Sequence, residues 1–479
     1  MPSHNAKARK CLDDLPDELI LEAIEWLRPT PCDDHEDTDS GSLMRSGLRF
    51  LDNEKRLEDL LALSLTSRRI SRITEVVLYS TILVDSPGRS GHLRLTSLLS
   101  TLLQKPCLAN HVTYIENIYR RYNESGRGPR QLGFLDEKKW YGGNRWDHHV
   151  HIITQAAKQF WNDSSLQAWT TGLAVLPEYS QLTLLIALSP NVKQLVLQVH
   201  EESTPSFWDC LGIQTTDGLS LPLPGFHSLS KLHKLYISTL QIPDNPKGRY
   251  PRFVSALRKI PSLQHYRHTG PCGDPSSLPV DVQLHSLQTI HLMECEITID
   301  HIAKTLEGCT SLKSFKCSWV PMMYTDLSQC HFVDLINGLL VSKDTLEHVD
   351  IALGEIGWDF KQFPQIGSFA GFPRLKSMSL DEILLLGILE GEELLQPRIT
   401  ARPAVPISQC LPLSLQSLTM TCYHTDLTDE SLVLWDFAKG ISQFARLEKV
   451  RLVAGSGNRG RDALKAHFAE HGVTLETEM

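Results

Sequence analysis

The sequence predicts an α/β chain in two parts: a small helical module at the N-terminus, then an irregular solenoid of short parallel strands with helices on the other side. Three observations carry this. Apolar residues fall at helical spacing near the N-terminus. From about residue 108 a different rhythm, apolar residues at i, i+3 and i+5, recurs along the chain. At 479 residues the chain is also too long for one compact core, so it needs several domains or an extended array.

The first helix is marked by Asp13 or Asp14 as cap, Pro16 at its start, and Asp17 and Glu18 at its positive end. Leu19, Ile20, Ala23, Ile24 and Leu27 then share one face, and Arg28-Pro29 ends it. Residues 29–56 are rich in Asp, Ser, Pro and Gly and read as a mobile insert with one short helical patch at 48–52. Helical patterning resumes at Glu58 with Leu60, Leu61, Leu63 and Leu65, then Ile70, Ile73, Val76 and Val77; Tyr79, Ile82 and Val84 read as an extended exit. The expected organisation is a disordered terminus over 1–11, a helical module over 12–85 containing the insert, and a helical linker over 86–110. A solenoid follows over 111–479, with a C-terminal cap at 461–479.

The solenoid rests on repetition. The i, i+3, i+5 pattern occurs at Val192/Leu195/Leu197, Leu232/Leu235/Ile237, Leu287/Ile290/Leu292, Leu312/Phe315/Cys317, Leu346/Val349/Ile351, Leu375/Met378/Leu380, Leu415/Leu418/Met420 and Leu447/Val450/Leu452. Leu263/Tyr266/His268 is a degenerate copy and Val112/Ile115/Asn117 an outlying first one; from residue 192, successive copies start 24 to 40 residues apart. Each is introduced by a small or proline-bearing turn, and several follow amphipathic helical text. A strand of four or five residues with one helix cannot bury its apolar face alone, so such units stack. Each buried leucine then contributes ~1.5–3 kcal/mol. The longer intervals leave room for excursions carrying Trp208, Trp319, Met322, Met323, Tyr324, Trp358 and Phe360. These are candidate anchors for a bound protein, or else seals along the edges of the repeat core.

Composition excludes several functions. A net charge of −9 argues against binding a nucleic-acid backbone. The 11 cysteines form no C-x-x-C pair, so no zinc or redox motif is indicated. No signal peptide or membrane-spanning run is expected, which points to cytosol or nucleus. Gly455, Gly457 and Gly460 form G-x-G-x-x-G after a strand and before a helix, but too little chain follows for a nucleotide-binding half, and a loop before a capping helix is expected. Asp147, His148, His149 and His151 lack further ligands at metal spacing and, with the flanking segments 120–133 and 138–146, read as an exposed loop. No catalytic constellation, cofactor or metal site is expected.

The segment LDDLPDELILEAIEWL, resuming as RLEDLLALSLTSRRISRITEVVLYSTILV, resembles an F-box interrupted between its first and second helices. Followed by LTSLLSTLLQKPCLANHVTYIENI and the repeats, it is similar to fungal F-box/leucine-rich-repeat-like proteins over nearly the whole chain. The resemblance implies a non-enzymatic receptor. It would hold a Skp-type adaptor of a cullin–RING ubiquitin ligase through Leu15, Pro16, Leu19, Ile20, Ile24, Leu27, Leu60, Leu61 and Leu65. It would hold a protein target through the solenoid, with Trp208, Trp319, Met323, Tyr324, Trp358 and Phe360 as candidate contacts. The alternative is a leucine-rich-repeat scaffold without ligase coupling.

Overall fold

The structure is a computed structural model that describes residues 15–32, 40–86, 91–119, 144–161, 163–175, 177–200, 229–240, 257, 260–270, 284–295, 297–319, 332–353, 365–386, 405–422, 432–454 and 461–478. Twelve strands form one parallel sheet in strict chain order. They are β1 (Thr81–Ser86), β2 (Tyr114–Tyr119), β3 (Gln194–His200), β4 (Lys234–Leu240), β5 (His265–Thr269), β6 (Thr289–Cys295), β7 (Ser314–Trp319), β8 (His348–Ala352), β9 (Ser377–Asp381), β10 (Ser417–Cys422), β11 (Lys449–Ala454) and β12 (Thr474–Glu478). By compactness the chain divides into two units, residues 1–213 with 219–235 and residues 214–218 with 236–479.

The triplets explain the sheet. The i+3 residues Tyr266, Ile290, Phe315, Val349, Met378, Leu418 and Val450 lie side by side in register on β5 to β11, and the i+5 residues His268, Leu292, Cys317, Ile351, Leu380, Met420 and Leu452 form a second row. All fourteen are at most 2% exposed. The first apolar residue of each triplet sits in the turn before its strand. The small polar residue preceding it has a job there: the hydroxyls of Ser286, Thr345 and Ser414 donate to the carbonyls of Leu263, Leu312 and Leu375, the corresponding leucines one repeat earlier. Stacking is thus tied by a hydrogen bond at the turn as well as by the apolar rows.

Two strands extend the expected series. Tyr79/Ile82/Val84, read as an exit, has the repeat spacing and forms β1, with Ile82 and Val84 in register with Ile115 and Asn117 of β2. The C-terminal cap supplies β12, paired to β11. Asn117, polar at an inward position, is satisfied by two 2.8 Å hydrogen bonds with the backbone of Gln198.

In the first unit, α1 (Asp17–Glu25), α2 (Ser40–Ser64) and α3 (Arg68–Leu78) precede the sheet, followed by α4 (Gly91–Gln104) and α5 (Pro106–Ala109). Helices α6 (Asn144–Ala157), α7 (Asp163–Val175) and α8 (Pro177–Leu188) stand between β2 and β3. The first of them corrects the expected loop over 144–151 to a helix, on which His148 and His151 are exposed as expected; beyond it, Trp161 and Trp169 stack at 5.3 Å, and the Trp169 indole N–H donates to the Ser180 carbonyl at 2.8 Å. In the second unit, α9 (Ile299–Leu306) and α10 (Phe332–Leu340) bury their apolar sides. Gly338 permits their close approach, since a Cβ there would lie 2.6 Å from the Ala303 carbonyl oxygen. Helices α11 (Glu382–Leu386), α12 (Ile407–Cys410), α13 (Leu432–Lys439) and α14 (Arg461–Glu470) complete the order.

The insert also needs correction. Residues 40–56 belong to α2, one continuous helix of 25 residues, instead of a mobile stretch with a short patch. Polar anchoring explains this. Asn53, fully buried, exchanges hydrogen bonds with the Thr30 backbone at 2.7 and 2.8 Å. Arg49 grips Glu116 of β2 with two hydrogen bonds of 2.9 and 2.6 Å, and the Tyr114 hydroxyl donates to the same carboxylate at 2.7 Å. The Cys32 N–H donates to Tyr114, and Gln194 of β3 donates to the Cys32 carbonyl. Burial pulls the Arg49 pKa down, but the bonds and charge of Glu116 outweigh it and hold the guanidinium charged. Burial, and then the charge of Glu116, raise the Tyr114 pKa well above normal.

Candidate functional site

The first three helices are held together by few side chains. Ile20 and Ile24 of α1, Leu60 of α2, and Ile73 and Val77 of α3 form the core, with Leu27, Leu57, Leu63 and Leu78 packed at its margin. Pro16 stands at the N-cap of α1 without offering a side-chain cap. The start of α1 is held instead by Arg69 of α3, which donates to Asp17 at 2.7 Å and to the Leu15 carbonyl at 2.7 Å, while Arg72 reaches Asp17 at 3.1 Å. Ser67 caps α3 by accepting from the Ile70 N–H at 3.1 Å. At the far end of α1, Arg28 pairs with Glu25 and donates to the Ser80 hydroxyl at 3.0 Å. The hydrogen bond from Arg28 lowers the Glu25 pKa.

This geometry sorts the expected adaptor-binding residues. Ile20, Ile24 and Leu60 are at most 2% exposed and serve the core, and Leu27 packs beside them. Buried as they are, Ile20, Ile24 and Leu60 cannot meet a partner directly, a correction to their assignment as contacts, whereas Leu27 is only half-buried. Leu15, Pro16, Leu19, Leu61 and Leu65 are exposed, Leu19 by 48% and Leu65 by 80%. The sequence reading missed Trp26, 81% exposed, with Leu21 and Val76. Trp26, the C-cap of α1 with helical backbone angles, lies seven residues after Leu19 and so continues its stripe beside the buried one. That spacing was available in the sequence.

The expected target contacts divide differently. Trp319 closes β7 from within: its indole N–H donates to the Ile297 carbonyl at 2.9 Å and its ring meets Phe332 edge-on at 5.8 Å. At 7% exposure it is a core seal, not an anchor. Trp208, Met322, Met323, Tyr324, Trp358 and Phe360 lie outside the described residues, as does the glycine-rich segment 455–460. His148 and His151 are exposed on α6, and among the described residues no group of His, Cys, Asp or Glu could hold a metal ion. Nor does any helix among the described residues have the length and apolarity to cross a membrane.

Compared with known proteins, the chain matches no family model and no curated sequence.

Proposed function

We propose that the chain is an F-box-type substrate receptor of the leucine-rich-repeat-like kind, whose first three helices hold a Skp-type adaptor and whose repeat sheet presents a target to a cullin–RING ubiquitin ligase. One observation carries this reading. Of the fourteen exposed large apolar side chains among the described residues, nine fall between Leu15 and Val76, where the same helices bury only seven apolar ones. Such a surplus marks a surface that another protein covers, and the Leu19–Trp26 stripe suits packing against partner helices. A parallel repeat sheet directly after this module offers a broad surface for a second protein.

The test is co-elution of the full chain with a purified Skp-type adaptor in gel filtration. Leu15→Ala/Leu19→Ala/Trp26→Ala should lose the complex while keeping the parent's melting temperature. If the parent chain fails to co-elute, or the variant co-elutes equally well, the ligase-coupled reading falls and the scaffold reading stands.

A further inference from the structure

Strand β9 ends in two consecutive carboxyl side chains that both lie inside the protein. Asp381, the last residue of the strand, is 1% exposed, and Glu382, the first of α11, is 8% exposed. Asp381 accepts a hydrogen bond from the Leu353 N–H, just after β8. Glu382 is hydrogen-bonded to the Cys422 thiol at the end of β10. Among the described residues no lysine, arginine or histidine pairs with Glu382. The ionisable groups that β9 and β10 bring to this corner are Asp381 and Cys422. Burial, with the charges of Glu382 and Asp381, pushes the Cys422 thiol up, so it stays a neutral partner. From the segments before β9 and β10 come Gln365, which is neutral, and the Cys410 thiol 3.6 Å from its amide, also raised by burial.

Helix α11 has five residues, Glu382–Leu386, and a helix that short does not persist by itself. Docking holds it. Ile383, Leu384 and Leu385 are at most 3% exposed. The Ile366 N–H donates to the Leu384 carbonyl at 2.8 Å, and the Gln365 amide donates to the Leu385 carbonyl at 2.8 Å, which satisfies two of its C-terminal carbonyls. The same docking strips water from Glu382. A neutral carboxyl tolerates that, whereas a carboxylate without a counterion is strongly disfavoured there. The three apolar side chains therefore pull the helix in, and an ionised Glu382 pushes it out.

Burial sets where the balance turns, holding the docked carboxyl at about 7 against an ordinary value of 4.5. Undocking at neutral or higher pH releases the proton that docking retained, so rising pH favours the open helix.

We infer that α11 is a proton-linked latch: it stays docked while Glu382 is protonated and opens locally once Glu382 ionises, uncovering Ile383, Leu384 and Leu385 beside the ends of β9 and β10. The inference needs only the repeat array and holds for a ligase-coupled receptor and for a scaffold alike.

The experiment is hydrogen exchange of the full chain at pH 6 and pH 8, each corrected for the chemical exchange rate. Protection over 382–386 should fall about tenfold between the two, the linkage expected of a carboxyl at about 7 docked and 4.5 released. Glu382→Gln should keep protection constant, and β6–β8 should not respond in either chain. Alkylation of Cys422 by iodoacetamide, followed by site-resolved mass spectrometry and divided by its rate in the denatured chain at the same pH, gives a second readout. It should be about tenfold faster at pH 8 in the parent and flat in the variant; the parent's rates decide even where Glu382→Gln does not fold. Equal protection at both pH values, the same pH dependence in the variant, or a loss spread evenly over β6–β10 would each overturn the latch. Adaptor co-elution is independent of these readouts, so the two proposals fail separately.

Discussion

Helices α1–α3 bury seven apolar side chains and leave nine large ones exposed between Leu15 and Val76, whereas in β5–β11 two rows of seven inward residues are sealed almost completely. The array has solved its burial problem internally: each rung covers the one before it, and the turn hydroxyls of Ser286, Thr345 and Ser414 tie the stack. The helical module has not. It is fastened to the first repeats by a polar bolt, Arg49 on Glu116 and the Cys32 backbone on Tyr114 and Gln194, while its apolar surplus stays in solvent. That leftover apolar area is where the proposed adaptor would sit.

The polar bolt offers the sharpest way to break this contrast. Arg49→Met leaves Glu116, 1% exposed, as an uncompensated buried charge, and should destabilise the first unit by about 3–5 kcal/mol. Hydrogen exchange should show lost protection over residues 15–119 with β6–β11 unchanged; equal loss in both regions would mean that the array depends on the module. Apolar truncation compares the two cores directly. Leu292→Ala in the array and Ile24→Ala in the module should each cost about 2–5 kcal/mol in urea melts, with the array variant at the upper end because its site is enclosed by rungs on both sides. The reverse order would contradict the difference in enclosure.

A smaller effect comes from Glu382, at the start of α11. Burial pushes its carboxyl up to about 7, a hydrogen bond to Cys422 opposing the rise. Because the folded pKa lies above the ordinary carboxyl value, its contribution is present in acid and is lost as pH rises through about 7. Glu382→Gln should therefore stabilise the array at pH 8 by up to about 3 kcal/mol and leave it nearly unchanged at pH 4, as measured by urea melts. The smallest change in stability belongs to Leu19→Ala with Trp26→Ala. At exposed positions these should shift stability by less than about 0.5 kcal/mol while removing adaptor binding.

The array was legible because the i, i+3, i+5 spacing is a direct consequence of strand geometry: one residue in the turn and two on the inward side. The same rule was present at Tyr79/Ile82/Val84, where neighbouring helical text hid it. The continuity of α2 was not legible. Its Ser- and Gly-bearing start has weak helix propensity, and the helix is fastened by Arg49 and Asn53 bonding to residues distant in sequence or across the insert. In the module, periodicity assigned leucines to helices but could not separate Leu60, fully buried, from its neighbour Leu61, 52% exposed, since that depends on where α1 and α3 cross. Trp319 illustrates the opposite error: an aromatic at the end of a strand looks like an anchor until the Ile297 carbonyl and Phe332 are seen to hold it inside.

Hydrogen–deuterium exchange of the full chain, alone and with saturating Skp-type adaptor, tests the central claim most directly. Protection gained over 15–28 and 61–66, with β5–β11 unaffected, is the result expected of an adaptor seated on the apolar surplus. Unchanged exchange over 15–28 in the presence of adaptor would contradict it.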